Sequence, residues 1–180
     1  MRILKEHSTG LLIDVQERLL PHIHGNKSLL GNVEILLEGL KILGVPVLVT
    51  EQYRKGLGET VPEVRKKLDD FAPMEKMTFS CCDDPHVIMK LNTAARKYVI
   101  ICGIEAHVCV LQTTIDLLEE GFQPVVIEDC ISSRKPEDKS VAIHRMRQEG
   151  AIISGYESIL FELARVSGTD TFKAISKLVK

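Results

Sequence analysis

Residues 98–120 read YVIICGIEAHVCVLQTTIDLLEE, an apolar run that hands over to a helical pattern. Tyr98–Ile104 is an apolar run without polar alternation, the pattern of a strand covered on both faces. Glu105 and His107 then interrupt it, and Val108–Glu120 carries a helical pattern that stops at Gly121. A buried strand handing over to a helix is the repeating unit of an open α/β sheet, and such sheets place their chemistry at that junction. Glu105, His107 and Cys109 sit on it.

Outward from this unit the same alternation repeats. Thr9–Val15 (TGLLIDV) reads as a strand that runs into an acid, Asp14. Ser28–Leu43 sets Leu29, Leu30, Val33, Leu36, Leu37, Leu40 and Leu43 on a helical face, with Gly44 as its stop. Val45–Thr50 reads as a second strand, and Pro46 fits its start rather than its middle. Gln52–Glu59 is a loop, Val61–Leu68 a short helix and Ala72–Ser80 irregular or a short ribbon. Asp84–Arg96 is predicted as a helix, with Asp83 or Asp84 as its N-cap and Pro85 in its first turn. Pro124–Asp129 and Ala151–Ser154 follow as strands, and Glu137–Glu149, Tyr156–Ala164 and Thr171–Leu178 as helices. Alternating strands and helices, with strands apolar throughout, imply a Rossmann-like three-layer α/β/α sandwich on a mainly parallel sheet. No repeat or linker divides the chain, so residues 1–180 are expected to form one domain.

Composition narrows the class of function. Apolar residues make up 44% and charged residues 27%, and the net charge of −2 is spread without blocks. Such a surface has no field to gather nucleic acid or anionic lipid, so neither partner is expected. Five cysteines, an odd number without the spacing of a small secreted scaffold, point to reduced thiols and a cytoplasmic setting. No apolar run approaches a membrane span, and MRILKEHSTG lacks the apolar core of a signal peptide.

Loops after the carboxyl ends of the strands line one crevice in this architecture. The chain puts Asp14 and Gln16 there, then Glu51, Gln52 and Tyr53, then Glu105, His107 and Cys109, then Asp129, Ser132 and Ser133. Lys76, in the irregular segment, can reach the same rim. Cys109 falls in the first turn of its helix, where unpaired N–H groups and the dipole favour a thiolate. A nearby ammonium would deepen that effect, and an aspartate in reach could take and return the proton. Each signal alone has a plainer reading: a buried cysteine as packing, Asp14 as a cap, Lys76 as a solvated side chain. Their joint placement carries the argument. His22 and His24 have a metal-compatible spacing but no third ligand; Cys81–Cys82 match neither a redox nor a zinc spacing; KGLGE at 55–59 is a turn rather than a phosphate loop.

Several separated motifs in order, LLIDVQERL, VLVTEQYRKGLGET, MEKMTFSC, GIEAHVCVLQTT and EDCISSR, resemble the isochorismatase-like cysteine hydrolases over essentially the whole chain. The EQY-x-KGLG and GIEAHVCV segments are most similar to the metal-free isochorismatase domain-containing branch. The resemblance implies a catalytic Asp14–Lys76–Cys109 triad, a thioester intermediate, and a cis peptide at Ile104–Glu105 that points the backbone N–H groups of Glu105 and Cys109 at an oxyanion. It also implies a small-molecule amide-like or ester-like substrate, no cofactor, and a homo-oligomer. Nicotinamidase-like members carry an Asp-x-His metal motif where this chain has Glu51–Gln52–Tyr53, so no metal is expected. Isochorismatases that cleave a vinyl ether lack the cysteine, so Cys109 favours C–N hydrolysis; many relatives have Thr-Asp where this chain has Ala106–His107. Gln16, Gln52, Tyr53, Phe79 and His107 are the candidate substrate contacts. The competing class is a partner-binding scaffold on the same fold. A ribonuclease reading has little support from three tyrosines, five phenylalanines and no tryptophan.

Overall fold

A computed structural model describes residues 2–180. Its centre is built by the two most apolar strands, β1 (Ser8–Ile13) and β4 (Tyr98–Ile104), which lie side by side with every residue buried. Outside β1 come β2 (Val47–Gln52) and the edge strand β3 (Met74–Lys76); outside β4 come β5 (Gln123–Ser132) and the second edge strand β6 (Ile152–Ser154). All pairings are parallel, in the order β3-β2-β1-β4-β5-β6. The chain winds one way from β1 to β3 and the other way from β4 to β6. The reversal lies between β1 and β4, and the crevice at their carboxyl ends is where such sheets hold ligands.

Period-two alternation sends neighbouring strand residues to opposite faces, and each face meets its own helices. Leu12, Val49, Ile100 and Val125 pack under α1 (Asn26–Ile42), α7 (Tyr156–Ala164) and α8 (Asp170–Leu178). Leu11, Ile13, Val99, Ile101 and Val126 pack under α4 (Pro85–Ala94), α5 (Leu111–Glu119) and α6 (Pro136–Glu149). Two short helices, α2 (Arg54–Leu57) and α3 (Pro62–Arg65), complete the β2–β3 connection. Asp84 caps α4, accepting from the N–H groups of His86 and Val87. Among the described residues no helix is long and apolar enough to cross a membrane.

Four details depart from the sequence reading. The segment expected to be irregular or a short ribbon takes the second form as β3, a parallel edge strand whose Lys76 pairs with Gln52; three residues are too few to show a pattern. Strand β5 continues past Asp129 to Ser132, because the register with β4 shifts between Ile101 and Gly103 and absorbs the polar Glu128–Asp129 pair. The helix expected over Val61–Leu68 is confined to α3. The helix expected from Val108 is preceded by a π-helical turn, Ala106–Val110, that contains Cys109.

Gly103 governs how closely the two central strands approach. Its φ is +125°, and a Cβ there would lie 2.1 Å from the carbonyl oxygen of Ile13 and 2.7 Å from its nitrogen. Backbone atoms of a central strand cannot give way. Gly103→Ala should therefore cost more than about 4 kcal/mol and lower the melting temperature by about 10 °C or prevent folding. Gly31→Ala in α1, where a Cβ meets nothing within 4 Å, should instead stabilise by about 0.5–1 kcal/mol. A Gly103→Ala protein that melts like its parent would show that β1 and β4 are further apart than described.

Buried thiols make the fold sensitive to alkali. Burial pushes the Cys81 thiol up to about 11 and that of Cys102 up to about 12. The unfolded chain loses these protons above about pH 8.5, while the folded protein keeps them. Stability should thus be constant near neutrality and fall as pH climbs from about 8.5 toward 11, by up to about 1.4 kcal/mol per unit for each such group. Urea midpoints at pH 7, 9 and 10 measure this. A midpoint that does not fall across that range would overturn it.

Candidate active site

Asp14 leaves the end of β1 with a left-handed backbone, φ +53°, and its side chain is fully buried. Both carboxylate oxygens are held from β2 and β3: Thr50 Oγ1 donates to Oδ1 at 2.7 Å, and Lys76 Nζ donates to Oδ2 at 2.8 Å. Lys76 is not a solvated lysine. Its side chain has no exposed surface, and its ammonium also meets Gln52 Oε1 at 2.8 Å, the Thr78 carbonyl at 3.1 Å and the Phe79 carbonyl at 3.2 Å. An ammonium has three protons, so four acceptors consume its donor capacity. Burial pushes Lys76 down, but Asp14, with Cys81 and Cys109, outweighs it and holds the ammonium above its usual range.

Cys109 lies in the π-helical turn beyond β4, with 6% of its surface exposed. Here the structure corrects the sequence reading of a thiolate. Burial pushes the thiol well above its usual range, the Asp14 carboxylate within hydrogen-bonding reach pushes it further, and Lys76 only partly opposes them. Lys76 cannot do more because Asp14 already neutralises it. The resting pair is a protonated thiol facing a carboxylate whose far side is pinned. Cys81 joins the same cluster through Thr50 and Thr113: its Sγ lies 4.0 Å from Thr50 Oγ1, and its N–H donates to Thr113 Oγ1.

The peptide Ile104–Glu105 is cis. The Glu105 carbonyl accepts from Val108 and Val110 N–H groups, which holds the turn that carries Cys109. Its carboxylate Oε2 accepts from Arg134 N at 3.2 Å and Arg134 Nε at 3.0 Å. His107 Nδ1 is 2.9 Å from Ser133 Oγ, and its Nε2 is 3.9 Å from Asp138 Oδ2.

The remaining candidates divide into support and rim. Gln16 is fully buried; its amide donates to the carbonyls of Gln52 and Gly58 and accepts from Gln52 N, so it braces the wall. Gln52 spends Oε1 on Lys76 and Nε2 on the Met77 carbonyl. Tyr53 and Phe79 are exposed, and Met77, which the sequence reading passed over, stands beside them at 67% exposure. Glu51 is buried and saturated by Thr60 N, Thr60 Oγ1 and Arg54 Nε. Thr50 and Arg134 were also missed. Thr50 had no signal beyond closing an apolar strand, and Arg134 none beyond following Ser133.

Known proteins share this arrangement of elements. The model of the isochorismatase domain matches residues 9–158. The mouse isochorismatase domain-containing protein 2A is 38% identical over 180 residues, covering 99% of this chain and 85% of that one. A structure of MAR1 ribonuclease from Caenorhabditis elegans superposes with a TM-score of 0.93 at 38% identity, covering 99% of this chain and 92% of that one. The Escherichia coli YcaC protein, described as an octameric hydrolase of unknown specificity, superposes with a TM-score of 0.93 at 25% identity, covering 99% of this chain and 89% of that one. A family model spanning most of the chain and a relative this similar along its whole length have one meaning: the chain belongs to the isochorismatase family.

Proposed function

We propose that this protein is a cysteine hydrolase of small amide-like or ester-like substrates, with C–N cleavage favoured. The observation that carries the reading is the wholly buried Asp14–Lys76 ion pair set against the Cys109 thiol. Packing does not call for such a set, because two well-packed apolar residues would be at least as stable there.

Each step follows from the resting protonation. As Cys109 Sγ attacks the substrate carbonyl carbon, its proton passes to Asp14, so no free thiolate has to be maintained in an apolar site. The carbonyl oxygen becomes an oxyanion facing the backbone N–H groups of Glu105 and Cys109, each such donor contributing about 3 kcal/mol to lowering the barrier. Collapse breaks the C–N bond, Asp14 returns the proton to the departing amine, and a thioester remains on Cys109. Water then attacks the thioester, gives a proton to Asp14, and the acid product leaves as the thiol is reprotonated. Lys76 stays an ammonium throughout and aligns the carboxylate. Tyr53, Phe79 and His107 border the substrate, with Gln16 and Gln52 acting from behind. The cycle calls for no metal or cofactor. Assembly into a homo-oligomer is drawn from the octameric E. coli relative, and a reducing, cytoplasmic setting suits five unpaired cysteines. Ribonuclease activity, the description attached to the C. elegans relative, finds little support in a net charge of −2.

Mass spectrometry of the protein mixed with a panel of small amides and esters should reveal an acyl adduct on Cys109, released by hydroxylamine. Cys109→Ser should form no thioester. Asp14→Asn should slow turnover by about 10²–10⁴-fold. Lys76→Met leaves a buried carboxylate uncompensated and should cost about 3–5 kcal/mol of stability. Asp14→Asn combined with Lys76→Met should recover that stability without recovering turnover. No adduct across the panel, together with an unreactive Cys109 thiol, would sink the hydrolase reading in favour of a binding scaffold.

A further inference from the structure

Arg134 joins the cis-peptide residue Glu105 to solvent. It follows β5 by two residues, and Ser132 at the end of that strand pairs with Ile104 at the end of β4. Its backbone N–H and its Nε both donate to Glu105 Oε2. A guanidinium has five N–H donors in a planar fork, and Nε is only one of them. Among the described residues, neither Nη group has a protein acceptor, and the side chain is 60% exposed while its carboxylate partner is 10% exposed. Glu105, the residue whose backbone N–H is proposed for the oxyanion hole, therefore holds the guanidinium and leaves its Nη edge open to solvent.

We propose that Arg134 is a specificity-determining residue that selects substrates bearing a small anionic group, a carboxylate foremost, next to the scissile bond. The proposal rests on the Cys109 hydrolase reading and names its substrate class. A planar, always-charged fork held by one carboxylate matches a second carboxylate in two parallel hydrogen bonds. Among the described residues its charged partner is Glu105, which it already pairs. Tyr53, Met77 and Phe79, which follow β2 and β3, are exposed and apolar or aromatic. Lys76 has no donor left for a substrate anion, whereas the Arg134 Nη groups do.

Two alkylating probes of nearly equal shape test this. Iodoacetate carries a carboxylate where iodoacetamide carries a neutral amide. Each alkylates Cys109 by the same step: Sγ forms a bond to the methylene carbon, the C–I bond breaks, iodide leaves, and the thiol proton goes to Asp14 or solvent. Rates at Cys109 are read by peptide mass spectrometry, and the iodoacetate-to-iodoacetamide ratio is divided by that of glutathione under the same conditions. The ratio cancels any change in the reactivity of the thiol itself. The normalised ratio should exceed one in the parent protein, fall about tenfold in Arg134→Gln, and shrink with added salt. Arg134→Lys, which keeps the charge, should hold most of the ratio. Equal slowing by both reagents in Arg134→Gln would show that Arg134 only braces Glu105, and would overturn the proposal while leaving the nucleophile intact. A Cys109 that neither reagent modifies would instead remove the hydrolase reading beneath it.

Discussion

The Lys76–Asp14 ion pair is the constraint on which the rest of the site depends. It reaches from the edge strand β3 across β2 to the end of the central strand β1, entirely out of contact with water. Two charges buried this way lose several kcal/mol of hydration each, and only close geometry with further hydrogen bonds recovers it. The structure supplies those bonds: Thr50 on the carboxylate, and Gln52 with the carbonyls of residues 78 and 79 on the ammonium. The pair thus fixes more than itself. It fastens a three-residue edge strand to the sheet, and its ammonium draws in the carbonyls of residues 78 and 79.

The same pair explains why the cysteine is a thiol at rest. A lysine beside a cysteine ordinarily favours the thiolate, but a lysine already matched to a buried carboxylate has little field left to give. Burial and Asp14 then dominate, and the proton stays on sulfur. In the proposed mechanism, a sulfur that stays protonated until substrate binds is also protected from oxidation, since thiolate character governs that chemistry.

The architecture was legible because its central strands are so uniformly apolar. Tyr98–Ile104 followed by a helical pattern allowed essentially one reading, and repetition of that unit gave a parallel sheet with the crevice at its carboxyl ends. Asp14, Lys76 and Cys109 were legible as residue types at the strand ends, and the structure brings them together. What could not be read was set by distance in the sequence. Lys76 looked like a solvated side chain because its three-residue strand has no period to detect, and its burial depends on partners 24 and 62 positions away. The resting thiol was missed because the sequence reading set a dipole, an ammonium and an aspartate near the sulfur without showing that the two charges are spent on each other. Gln16 looked like a pocket residue because it follows Asp14, yet its bonds lie with residues 52 and 58.

A division of labour follows from where the bonds fall. The centre is over-determined: every polar atom of Asp14, Lys76 and Gln16 has a protein partner, so a substitution there breaks several contacts at once. The exposed side chains after the strand ends are not: a substitution at Tyr53, Met77, Phe79 or Arg134 disturbs less of the fold. On the proposed reading, chemistry is thereby tied to the sheet, while selectivity falls to side chains that can change without disturbing it.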